Sequence, residues 1–306
     1  MIQRSLLALL LAGCASQTPA EEPSSPVDTG DSVAADGYVI QLDRRHRVGE
    51  RARWEQRVEN LETQRMLVGG EVAREDASMT HGELVATVEV QEVDANGRVL
   101  RAEFTIERLR ADRNGEVAEL PAGSVVTVTR SDQPDGGSFA LGGAPVDEPT
   151  EQLLALFVSK RLGGDVDGVF GSTTPRQVGE AWPMDVDRFL ADFAGRGVPV
   201  ELARDTVEGA GELVAVEDLD GTEVLHLVLA STARIASIQN MPGEVTSGEL
   251  TMTMDGQWPS DGVSPQRTRT TTMVMQVEAA GEDPQAGPFT MQIGFGNTEQ
   301  RTVTPL

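Results

Sequence analysis

Few side chains in this sequence could do chemistry. It holds three His and one Cys. One Cys excludes an intramolecular disulfide and a zinc site built on several thiolates. His46 sits among Arg44, Arg45 and Arg47, on a basic edge; His81 falls in a loop before a strand; His226 falls inside a strand. Each reads as a solvated or hydrogen-bonded structural His. There is no Gly-x-Ser-x-Gly elbow and no His-Glu-x-x-His pair. Carboxylates abound, and Glu116, Glu119, Asp185, Asp187, Asp218 and Asp220 read as turn and face charges. A glycosidase needs two of them across a cleft, and with 4% aromatics the chain offers poor sugar platforms. The residues call for no cofactor and no metal, and the role they predict is non-catalytic.

Two short strings deserve a chemical reading. Leu11-Ala12-Gly13-Cys14 follows a weakly positive start at Arg4 and an apolar stretch over 5–11. It resembles the lipobox of bacterial lipoproteins. In that family Leu11, Ala12 and Gly13 would be read by the signal peptidase, and the Cys14 thiol would accept a diacylglyceryl group. The lone Cys stands where the motif requires it. Two or three acyl chains give stable anchoring where one gives only marginal binding. The resemblance implies export and attachment to a membrane through Cys14. Ala15, rather than Asp, follows the Cys, which under the enterobacterial sorting rule implies the outer membrane, with the periplasmic or the surface face left open.

The second string is Asp165-Val166-Asp167-Gly168-Val169-Phe170-Gly171. Alternating Asp and Gly suit a calcium loop, but the third ligand position and the closing Glu of an EF-hand are missing. The string also resembles the turn of small helical peptidoglycan-binding domains, preceded here by an amphipathic segment. The sequence leaves no room for that domain's remaining helices, and a plain loop between helix and strand is the simpler reading.

The elements that would position these residues are mostly strands. Hydrophobic content of 39% with 24% charge describes a soluble globular domain. A formal net charge of −24 repels phosphate backbones, so nucleic acid is not expected as a partner. No apolar run reaches the ~18–20 residues of a membrane-spanning helix. Residues 1–13 read as a signal peptide and 14–36 as a lipidated Cys with a disordered tether, poor in large apolar side chains. Such a tether spans on the order of 25 Å.

From Gly37 onward the dominant period is two. Leu84, Ala86, Val88 and Val90 alternate with polar neighbours, and so do Leu100, Ala102, Phe104 and Ile106, with Asn96-Gly97 between. Leu250, Met252 and Met254 repeat the pattern, as do Phe289, Met291, Ile293 and Phe295. Asn114-Gly115, Asp220-Gly221 and Asp255-Gly256 are further turn candidates. The period breaks twice. Residues 150–162 are spaced for a helix that Thr150 caps and Gly163 ends, and Val186, Phe189, Leu190 and Phe193 predict a second short helix before Gly195 and Gly197.

An internal repeat runs through this pattern. Val48-Gly49-Glu50 before Trp54 returns as Val178-Gly179-Glu180 before Trp182, and Gly82-Glu83-Leu84-Val85-Ala86 returns as Gly211-Glu212-Leu213-Val214-Ala215. Both recur at an offset of about 130 residues. The element Pro175-Arg176-Gln177-Val178-Gly179-Glu180-Ala181-Trp182 resembles an uncharacterised family of exported bacterial proteins and lipoproteins. In that family a Val-Gly-Asp/Glu-x-Trp element opens a β-rich half. The family has no assigned activity, so the resemblance implies β architecture and export and adds no chemistry.

The expected fold is mainly β. It is a curved antiparallel sheet, half-barrel or sandwich of two related halves, 37–175 and 176–306, with one or two short helices between them. Met252, Met254, Met273, Met275 and Met291 form a soft apolar set suited to adaptable hydrophobic binding, or to filling the core against the helices. The leading expectation is an envelope lipoprotein that binds an apolar ligand or lipid. The alternative is a structural, protein-binding or peptidoglycan-binding envelope module, and a hydrolase ranks last.

Overall fold

The computed structural model describes residues 37–306, apart from 134–135, 163–165, 196–198, 265–266 and 284–286. The first half holds β1 (Tyr38–Ile40), β2 (Arg51–Val68), β3 (Glu71–Val93), β4 (Val99–Arg113), β5 (Glu116–Leu120), β6 (Val125–Thr129), β7 (Ser138–Leu141) and β8 (Ala144–Pro145). Three short helices follow among small strands: α1 (Glu148–Ala155), α2 (Val166–Phe170), β9 (Ser172–Arg176), β10 (Ala181–Pro183), α3 (Val186–Gly195) and β11 (Val200–Leu202). The second half is four long strands and one of intermediate length: β12 (Glu208–Leu219), β13 (Thr222–Ile238), β14 (Glu244–Pro259), β15 (Thr268–Asp283) and β16 (Gly287–Pro305).

These strands form one open antiparallel sheet in the order β10-β12-β13-β14-β15-β16-β2-β3-β4-β6-β7-β8, with β5 beside β4 and β11 beside β13. The last strand, β16, lies against β2 and so joins the two halves. β1 and β9 make a separate ribbon. The expected boundary at 175 falls inside β9.

Alternation explains the layering. Leu84, Ala86, Val88 and Val90 on β3 and Ala102, Phe104 and Ile106 on β4 are buried on one face. They pack with α1 into the core of the first half. The opposite face carries cross-strand pairs such as Arg53–Glu107 and Arg108–Glu83, at 3.2 and 3.0 Å. The second half has two cores: one on β13–β16 beneath α2 and α3, the other around Trp182, Leu213, Leu227 and Trp258. Asn114-Gly115 and Asp220-Gly221 are two-residue hairpin turns with both residues at positive φ, 53° and 88° in the first, 55° and 78° in the second.

Four local expectations are corrected. The first helix spans 148–155, not 150–162, because Asp147 rather than Thr150 caps it, its Oδ1 accepting the Thr150 N–H at 3.1 Å. Phe157 and Val158 are still buried, but from the turn after the helix. Residues 166–170 are a short helix rather than a plain loop. Asp255-Gly256 lies inside β14, opposite Val228 and Leu227. A Cβ at Gly256 would fall 2.9 Å from the Trp258 ring, so glycine serves close packing there instead of a turn. His81 lies within β3, opposite Glu59. Gly163 and Gly197, read as helix stops, lie outside the described residues.

The repeated turn recurs in space. Gly49 and Gly179 both sit at φ 81°. Gly49 N donates to Val90 O at 2.8 Å and Val90 N to Glu50 O at 2.9 Å; Gly179 N donates to Leu213 O at 2.7 Å and Leu213 N to Glu180 O at 3.2 Å. Each Glu pairs with an Arg, Arg44 at 2.7 Å and Arg176 at 2.6 Å. The second repeated string does not follow the first. Val90, not Leu84, takes the place that Leu213 holds, so the two strings sit at different heights on their strands.

Candidate functional site

Strand pairing gathers part of the Met set. Met252 faces Met273, and Leu250 faces Met275, which in turn faces Phe295. Met275 is buried, and Met252 and Met273 are half-buried beside it, in one cluster with Phe189 and Phe193 of α3. α3 is capped by Asp185, whose Oδ1 accepts the Arg188 N–H at 3.0 Å. Its two Phe rings are one turn apart and stack at 6.1 Å. Met254 lies in the neighbouring core with Trp258. Met291 is buried further along β16, where its sulfur accepts the Gln64 Nε2–H at 3.6 Å. The structure thus brings Met252, Met273 and Met275 together and sets Met254 and Met291 at either side.

Beside this strip the inner face turns polar. On β16 the inward series Phe289, Met291, Ile293, Phe295 continues as Asn297, Glu299 and Arg301; on β15, Met275 and Met273 are followed by Thr271 and Arg269. β2 adds Gln56, Asn60 and Glu62, all buried. The paired ladder between β2 and β16 covers Ala52–Trp54 and Val303–Pro305. Beyond it the strands keep the same register: Thr63 Oγ1 donates to Gly294 O, and Gly69 N to Pro288 O, both at 3.4 Å. That register sets Asn60 opposite Asn297. Their exposures are 2% and 0%, and among the described residues neither amide atom of either has a hydrogen-bond partner. Gln56 Nε2 donates to Phe157 O at 3.1 Å, which leaves its Oε1 unpartnered.

Charges surround these amides. Arg269 Nη2 donates to Glu299 Oε1 at 2.7 Å, and the Arg301 guanidinium lies 4.8 Å from the Trp54 ring centre. Burial pushes Arg301 down to about 9; the Arg269 and Arg130 cations push the same way, and Glu299 opposes them. Burial raises the Glu299 carboxyl, yet Arg269 and Arg301 more than offset it, so its pKa lies below the usual range. Glu62 goes the other way: burial pushes it up, and Arg113 at 3.2 Å opposes only in part.

These directions make a pH prediction. A depressed folded-state pKa contributes stability above the ordinary carboxylate range, and the contribution is lost as pH falls through the folded value. Glu299→Gln is therefore expected to cost about 3 kcal/mol at neutral pH, with the deficit shrinking in acid. Burial raises the Glu62 pKa, so its charge costs stability at neutral pH, and Glu62→Gln should be near neutral or stabilising there. Urea unfolding of both variants across pH checks this, and a Glu299→Gln deficit that grew in acid would contradict it.

The other candidate groups are dispersed. His46 lies 3.3 Å from Glu50, His81 3.6 Å from Glu59 and His226 2.8 Å from Asp255, at three separate places. Among the described residues no group of three His, Cys, Asp or Glu is placed to hold a metal. Asp167 is tied into the fold: its carboxylate accepts the Leu42 N–H, and its own N–H donates to Asp43 at 3.0 Å. Phe170 O accepts the Trp182 indole N–H at 2.7 Å. A surface hollow of about 390 Å³ opens beside this helix, between Asp167, Asp185 and Arg188. Leu11, Ala12, Gly13, Cys14 and the tether lie outside the described residues.

Sequence reading missed Asn60, Gln56, Asn297, Glu299 and Arg269. A signal was present for β16. Asn297, Glu299 and Arg301 stand on the same parity as Phe289–Phe295, so polar residues fall where apolar ones were due.

Fold and site together define an open antiparallel β-sheet protein whose inner face carries a Met strip under one helix and a buried polar layer beside it. No protein-family model matches the chain, and no curated protein matches it. Among solved structures it is similar to an outer membrane channel from Pseudomonas putida F1, at 9% identity and a TM-score of 0.19, over 91% of this chain and 100% of that chain.

Proposed function

We propose that this chain is a cell-envelope lipoprotein, anchored at Cys14, that binds an apolar or lipid ligand without catalysing a reaction. The observation that carries the reading is the strip of Met252, Met273 and Met275 beneath α3, a helix of ten residues. Met side chains re-pack around varied apolar shapes. The helix is anchored mainly by Phe189 and Phe193, so lifting it costs about 1.5–3 kcal/mol for each ring exposed. An acyl chain regains about 0.8 kcal/mol per buried methylene, so a chain of about eight methylenes offsets that cost.

Native mass spectrometry of the mature chain carrying Cys14→Ser, purified from the envelope, tests the reading. A reproducible adduct of lipid mass, lost on denaturation, is the expected result. An apo mass that persists after incubation with envelope lipid extract would overturn the carrier function.

A further inference from the structure

We propose that the buried polar layer between β2 and β16 receives the anionic head of the amphiphile whose chain lies on the Met strip. This rests on the carrier reading and specifies its ligand class: a single-chain amphiphile ending in a carboxylate or a phosphate.

Burying an amide without a partner is penalised, and unpaired buried side chains in folded proteins call for a reason. Here two such side chains, Asn60 and Asn297, sit opposite each other, each at least nine-tenths buried. The Thr271 hydroxyl and the Arg269 Nε are buried in the same stretch, also without partners. Together they offer donors from two amides, a hydroxyl and a guanidinium. Carboxylate and phosphate oxygens accept such donors, and a guanidinium adds charge-assisted bonds. Three guanidinium groups, Arg130, Arg269 and Arg301, stand around this stretch against two carboxylates, Glu299 and Glu62, so the balance of charge there is cationic.

Continuity with the apolar strip supplies the tail. Met273 is the ladder partner of Asn297, and Met252 is the partner of Met273. An amphiphile with its head at Asn297 therefore has its first methylenes at Met273 and its chain under α3. Along β16 the apolar run Phe289–Phe295 gives way to Asn297, Glu299 and Arg301 before Val303, so the polar stretch borders the Met strip directly.

The test uses the full mature chain with Cys14→Ser and a fluorescent apolar dye. Three displacing probes are compared: a long-chain fatty acid, the alcohol of the same length, and a lysophosphatidic acid of that length. At least one anionic probe should displace the dye at concentrations about tenfold or more below the alcohol. Preference for the fatty acid assigns a carboxylate head, preference for the lysophosphatidic acid a phosphate head. In the double variant Asn60→Leu/Asn297→Leu the ratio of anion to alcohol should fall toward one. These substitutions remove unpaired amides, so the thermal midpoint should hold or rise, which keeps the variant foldable. Arg269→Met reads the charge separately and should lower the same ratio. Equal binding of acid, lysophosphatidic acid and alcohol by the unmodified site would overturn the head-group proposal and leave the carrier reading standing. So would an anion preference that survives the variants. Failure of every probe to displace the dye would overturn both.

Discussion

Trp182→Ala is expected to destabilise the protein by about 3–5 kcal/mol. Trp182 is 3% exposed. Its ring fills the space that a side chain on Gly211 would take, since a Cβ there would fall 2.5 Å from the indole. Its N–H ties β10 to the end of α2 through Phe170 O, and Arg176 lies 5.6 Å from its ring centre. Truncation leaves a cavity among Ile40, Leu42 and Leu213 and an unpaired carbonyl. Trp182→Phe should recover most of the loss and remain about 1 kcal/mol short, the worth of the missing hydrogen bond. Val178→Ala, at an exposed position in the same repeated turn, should stay within about 0.5 kcal/mol of the parent. Urea unfolding of the three variants ranks them. A Trp182→Ala cost no greater than that of Val178→Ala would mean that the second turn is not what holds β10 and α2 to the sheet.

Cys14→Ser is expected to move the protein from the membrane fraction to the soluble fraction almost completely. Each acyl methylene buried in a bilayer contributes about 0.8 kcal/mol, and a second chain turns marginal binding into stable anchoring. Serine cannot carry the proposed thioether, so both contributions would vanish. No helix among the described residues is long and apolar enough to cross a membrane, and the net charge of −24 disfavours adsorption to anionic headgroups. Fractionation with a salt wash, together with mass analysis of the amino-terminal peptide, reads the result. A Cys14→Ser protein that stayed in the washed membrane would place the anchor elsewhere and remove the lipoprotein assignment.

Several features were legible because they are local. A strand with one solvated face must alternate, so Leu84–Val90 and Ala102–Ile106 announced their own inward sides. Asn114-Gly115 and Asp220-Gly221 announced hairpins, because both turn residues need positive φ and these residue types tolerate it. The spacing of Phe189 and Phe193 announced α3. Boundaries were less secure wherever two local signals competed. Asp147 outbid Thr150 as a cap, and Asp255-Gly256 has turn chemistry but stands in the middle of a strand whose neighbours on both sides hold it extended.

The sequence by itself determined that this is a strand-built acidic chain, where its inward faces lie, and which turn recurs. Those properties follow from backbone sterics, side-chain parity and composition, each acting over a few residues. Only the tertiary structure decided that β16 returns to lie beside β2, that Met252, Met273 and Met275 share one strip while Met254 and Met291 stand apart, and that Asn60 meets Asn297 in a buried layer. Strand order and register between distant segments depend on which faces bury the most apolar surface together, a property of the whole chain that no local pattern carries.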